Sequence, residues 1–210
     1  MFESIIVLKM LPLLALSIIR CMKKTIEERL TGGHPNSLGE TVSVAEDVLQ
    51  DSSRQLFNEL CRTYSSDDEV VRLRVSSALK RICGLHRDSL SANTQPKPEW
   101  LLERFDWLIH DIGWNLDQSS AKWSIAQIVQ ELRTKITEKQ RNEAIELLKH
   151  NLETESDWIV QNTTADTFTD FAANDSRLKA WLVPRLNKMK KDNRKSVSSK
   201  AVKLLNRLNT

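Results

Sequence analysis

Glycine and proline are scarce in this chain, at five residues each among 210. So few breakers argue against a loop-rich chain and suit helices joined by short turns. No segment shows the polar–apolar alternation of a strand over a useful length. The cysteines, Cys21, Cys61 and Cys83, are an odd set without close pairing. They match neither a disulfide framework nor a zinc site and point to a reducing compartment. The four histidines stand far apart, with no H-x-x-x-H or H-E-x-x-H pairing. A glycine-rich phosphate loop and a nucleophile elbow are also missing. No catalytic residue, metal ligand or cofactor is therefore expected.

Long apolar runs are nearly absent too. The one candidate, residues 4–19 (SIIVLKMLPLLALSII), is broken by Lys9 and is shorter than the ~20 residues that span a bilayer. Glu3 precedes it, and a small-residue cleavage site is missing, which counts against a secretory signal. Residues 1–21 are expected to be an apolar extension or an anchor. Residues 22–210 are expected to form one domain. Arg20, Lys23 and Lys24 follow the run, so insertion would leave the bulk on the cytoplasmic side. The expected location is the cytoplasm, or the cytoplasmic face of an inner membrane if the anchor inserts.

The chain does have a repeated helix. In residues 67–82 the apolar positions Val71, Val75, Ala78, Leu79 and Ile82 fall on one helical stripe. The same template fits Ala121, Ile125, Ile128, Val129 and Leu132, then Val160, Thr164, Thr167, Phe168 and Phe171. A fourth copy is Val197, Ala201, Leu204, Leu205 and Leu208. The copies are offset by 50, 39 and 37 residues. A helical period of roughly 40 residues is the mark of stacked helix pairs, each too small to bury its own core.

The intervening segments supply the partner helices. A short helix near residues 25–30 precedes the loop TGGHPN, and residues 37–50 form the next helix, with Leu38 on its apolar side. Ser52 or Ser53 caps the following helix, and Asp67 or Asp68 caps the first ladder helix. Residues 86–99, with Pro96 and Pro98, interrupt the period. Helices resume at 99–115 and 119–134. Thr137 and Gln140 make a capping box for a helix running to 152. Ser156 starts the helix to 171. Asp175 or Ser176 starts one to 190, which Pro184 should kink or break, and a last helix spans 195–208.

Laid out this way, the chain resembles HEAT-repeat proteins of the broad armadillo/HEAT class. The resemblance is carried by Asp68, Val71 and Arg72 opening the second helix, followed by Val75, Ala78 and Leu79. NSLGETVSVAEDVLQD leading into SSDDEVVRLRVSSALKRI is similar to small bacterial single-domain HEAT proteins without an assigned activity. The resemblance implies an all-α superhelix of four to five stacked helix pairs, a HEAT-like solenoid that offers a scaffold or binding surface rather than a reaction. Later copies depart from the pattern, with Gln161 and Ser198 where the first copies have Arg72 and Lys122.

Positions the stripe does not need are candidates for binding. One reads Arg72, Lys122, Gln161, Ser198 along the copies; two residues on it reads Arg74, Ser124, Thr163, Lys200. Arg72, Arg74, Lys122, Gln161 and Lys200 are thus expected to border a concave strip for an acidic protein or peptide. Alternatively, Arg72 orders the stack by pairing with a neighbouring repeat. Residues 175–210 carry +9, leaving −6 on the rest, so this end would favour an acidic partner or nucleic acid, or simply be the solvated outer face of a terminal repeat.

Trp100, Trp107 and Trp114 are seven apart and would share a helix face. They read as core, or Trp107 and Trp114 as an exposed aromatic platform. Some HEAT-like proteins are DNA glycosylases for alkylated bases, and Asp106, Asp111, Trp107, Trp114 and Lys122 could be arranged in that manner. The charge outside the last repeat fits a phosphate-tracking groove poorly. The expectation is a non-enzymatic interaction scaffold, with a glycosylase-like protein and a membrane-tethered adapter as alternatives.

Overall fold

A computed structural model of the chain describes residues 24–35 and 37–209. The apolar run at residues 4–19, and with it the anchor and extension readings, lies outside the described residues. Among the described residues no helix is long and apolar enough to cross a membrane.

The described chain is helical throughout, without strands. In order come α1 (Ile26–Leu30), α2 (Thr41–Gln50), α3 (Gln55–Thr63) and α4 (Glu69–Cys83). A 3-10 turn at Arg87–Ser89 follows, then α5 (Pro98–Leu102) and a π-helical segment, Trp107–Gly113. The rest is α6 (Ser119–Leu132), α7 (Glu138–Thr154), α8 (Trp158–Ala172), α9 (Ser176–Met189) and α10 (Lys195–Asn209).

Two layers result. The ladder helices α2, α4, α6, α8 and α10 stack in chain order, each against the next. The second layer consists of α3, α5 with the π-helical segment, α7 and α9, which cover the ladder helices from one side. The stripe explains the order of stacking. Val71, Val75, Ala78, Leu79 and Ile82 are all fully buried, as are their counterparts Ile128, Val129, Leu132, Val160 and Phe168. Each such Val, Leu, Ile or Phe contributes about 1.5–3 kcal/mol by leaving water, so the four on α4 (Val71, Val75, Leu79 and Ile82) fix which of its faces turns inward. In the last copy Leu205 is only partly buried.

Local signals set the helix starts. Asp68 caps α4 by accepting from the Val70 N–H, and Thr137 with Gln140 forms the capping box of α7. Asp157 and Asp175 cap α8 and α9. Three expectations shift. The cap of α3 is Arg54 in left-handed backbone (φ 60°), while Asp51 holds the turn by accepting from Ser53 and Leu56. Helix α2 begins at Thr41, leaving Leu38 47% exposed rather than packed. Pro184 breaks nothing: α9 runs through it, and both Pro184 and Ala180, whose carbonyl loses its donor, are exposed.

The largest departure is at residues 98–113. The expected single helix is three pieces: α5, a turn at Glu103 and Arg104, and the π-helical segment. Gly113 explains why the segment sits so close to α7. A Cβ there would lie 2.5 Å from Leu147 Cδ2.

Candidate functional site

Arg74, expected on an accessible strip, is 2% exposed. Its guanidinium donates to four backbone carbonyls of the turn between α1 and α2. Nη1 reaches Leu30 O at 2.5 Å and Gly32 O at 2.6 Å; Nε reaches Ser37 O at 3.1 Å and Nη2 His34 O at 3.2 Å. Gly39 makes room for it: with φ +51°, its Cβ position lies 3.2 Å from Arg74 Cζ. Arg74 is a clamp on the turn, and its donors face the protein.

Arg72, Lys122 and Gln161 hold successive repeats together at the start of each ladder helix. Arg72 donates to Gln118 at the foot of α6, and Gln118 returns a bond to Glu69 O. Lys122, buried, meets Glu155 at 2.5 Å just before α8. Gln161 donates to Glu155 O and accepts from Arg194, the residue before α10. One register position thus joins each ladder helix to the approach of the next. This is the stack-ordering role, with Gln118 rather than a carboxylate as the partner of Arg72.

Trp107 and Trp114 do not share a face. A π-helix carries more residues per turn than an α-helix, so seven residues no longer return to the same side. Trp107 packs edge-on against Tyr64 (6.1 Å), whereas Trp114, 43% exposed, tilts over His150 (5.0 Å). Trp100 is core, beside Phe57 and flanked by Lys97 and Arg54. Asp106 and Asp111 are exposed.

Lys200 opens onto a groove of about 490 Å³ that crosses three successive ladder helices. Gln127 and Gln130 come from α6, Asn162, Thr163 and Asp166 from α8, and Ser196, Ser199, Lys200 and Lys203 from α10. Every lining side chain carries an amide, a hydroxyl or a charge. Asp166 is neutralised by Lys200 at 2.5 Å and by Arg207 at 2.9 Å. Lys203, exposed, has no ion-pair partner among the described residues. Asn162 donates through Nδ2 to Ser196 O, while its Oδ1 finds no donor among the described residues.

At the α4 edge, Gln127 accepts from Lys80 at 3.2 Å. Burial, and then the neighbouring Arg81 charge, pulls the Lys80 ammonium down to about 8. Most of the groove is hard to see in the sequence because its register positions look like ordinary polar surface. The signal was the row two and six residues after each stripe start: Trp123, Asn162, Ser199 and Gln127, Asp166, Lys203.

The fold defines an all-α protein of stacked helix pairs. No family model matches the chain, and no curated protein does. A crystal structure of an engineered protein is similar to it, with a TM-score of 0.57 and 17% identity, over 87% of this chain and 79% of that one. At that identity the likeness concerns the fold alone.

Proposed function

We propose that the chain is a non-catalytic binding module of HEAT type, which holds an extended acidic segment of a partner protein in the groove across α6, α8 and α10. One observation carries this reading: three consecutive repeats line a single polar groove, in which exposed Lys203 has no counter-ion among the described residues. An extended peptide offers a backbone N–H and C=O at every residue, and amide side chains can match both. The unpaired Lys203 favours a carboxylate in the ligand. Stacking fixes the groove walls before the partner arrives, which reduces the ordering cost of association.

Selection of a displayed random-peptide library against the full chain tests this. Enriched peptides should be acidic. The triple variant Gln127→Ala, Asn162→Ala, Lys203→Glu should lose them while keeping its helical circular dichroism. Enrichment of the same peptides by the triple variant would reject the groove as the site.

A further inference from the structure

A second concavity, of about 700 Å³, lies between the C-terminal end of α7 and the turn from α9 to α10. It is built at the loop ends of the repeats, away from the groove, and its chemistry differs. Three carboxylates border it, and each is already paired. Glu153 pairs with Arg185, Glu155 with buried Lys122 at 2.5 Å, and Asp192 with Arg194 at 2.7 Å. The Arg194 hydrogen bond holds the Asp192 carboxyl down at about 2, so this charge persists at any physiological pH. Lys188 and Lys191 also line the cleft, and among the described residues neither ammonium has an ion-pair partner. The cleft therefore carries two uncompensated positive charges. Leu152 and Met189 give it an apolar wall, and Ser156 and Gln161 give it polar side chains.

We propose that this cleft binds an organic phosphate monoester, with the phosphoryl group between Lys188 and Lys191 and the organic part against Leu152 and Met189. The charge count selects the ligand. A monoester carries close to two negative charges on one centre at pH 7, whereas a carboxylate carries one. Lysine ammoniums suit phosphate as point charges and impose no planar geometry. A concavity of this size lies within the range of small-molecule sites, and its mixed lining suits a ligand with one charged and one apolar end.

The test is a calorimetric titration of the full chain at low salt with phenyl phosphate, inorganic phosphate and a short phosphoserine peptide. Phenyl phosphate should bind saturably and more tightly than inorganic phosphate. Affinity should fall between about pH 7 and 5, as the monoester loses its second charge. The double substitution Lys188→Met, Lys191→Met should weaken binding about ten-fold or more, while Lys203→Met, on the groove, should leave it unchanged. If the peptide binds more tightly than phenyl phosphate, the phosphoryl group comes from a modified partner side chain; the reverse order indicates a small molecule. No saturation by any of the three ligands up to about 10 mM, a millimolar affinity corresponding to only about 4 kcal/mol, would overturn the proposal. So would equal binding by the double variant, or an equal loss in Lys203→Met.

Discussion

Replacing Arg74 by Met separates a structural clamp from a surface contact. The substitution keeps most of the stem volume and removes all the donors. Four carbonyls then lose a charged partner, but not at equal cost. Leu30 is fully buried, so its carbonyl is left without water; Gly32, His34 and Ser37 are exposed and can rehydrate. Hydrogen bonds to a charged group are worth about 1.5–3 kcal/mol, and a buried carbonyl left unpaired costs about 1–3 kcal/mol. Against this, the variant no longer desolvates a guanidinium. The net expectation is a loss of about 3 kcal/mol.

For a chain of this size, that lowers the melting temperature by roughly 6–12 °C. Urea unfolding followed by circular dichroism measures it. Proteolysis should then cut first in the turn between α1 and α2. Arg74→Lys should recover little, since one ammonium cannot span four carbonyls. If Arg74→Met unfolds within about 0.5 kcal/mol of the parent and the turn stays resistant, the clamp is refuted and Arg74 is again open to a surface role.

Further expectations concern the stack and its buried groups. Lys80→Met should stabilise the protein at pH 7 by up to about 3 kcal/mol, because the native state holds this amine at about 8 while the unfolded chain restores its ordinary value. The penalty is full below pH 8 and fades as pH rises towards about 10.5, so urea midpoints of parent and variant should converge in alkali. Lys122→Met leaves Glu155 without its buried partner and should cost about 2–4 kcal/mol. Adding Glu155→Leu should recover part of it in a double-mutant cycle. Gly113→Ala drives a methyl into Leu147 and should cost about 1–3 kcal/mol. Burial pushes the Cys61 and Cys83 thiols up to about 12, so a Cys21→Ser chain should resist thiol reagents at pH 8 until it is unfolded.

The ladder was legible because burial demands one repeated pattern, and Val71 to Ile82 records it in apolar residues alone. The polar positions were harder to read, because a side chain's partner lies a repeat away. Arg74 is polar like its register mates Ser124, Thr163 and Lys200, yet it alone meets a turn carrying Gly32, Gly33 and Gly39, all with positive φ. Those glycines were visible as a loop, but their meeting with a residue some 40 positions on depends on the stack. Lys122 looked like a surface cation because Glu155, its partner, belongs to the next repeat. The tryptophan series misled for a different reason. Seven-residue spacing implies a shared face only in an α-helix, and residues 107–113 are π-helical.

The claim that matters most is that the groove across α6, α8 and α10 holds an acidic polypeptide. Fluorescence anisotropy of a selected acidic peptide, titrated with the full chain beside a labelled single-stranded oligonucleotide, tests it most directly. Saturable peptide binding that Lys203→Glu weakens by about ten-fold or more is expected, with little oligonucleotide binding at physiological salt. Peptide binding indifferent to Lys203→Glu, with tight oligonucleotide binding that falls steeply with salt, would contradict it.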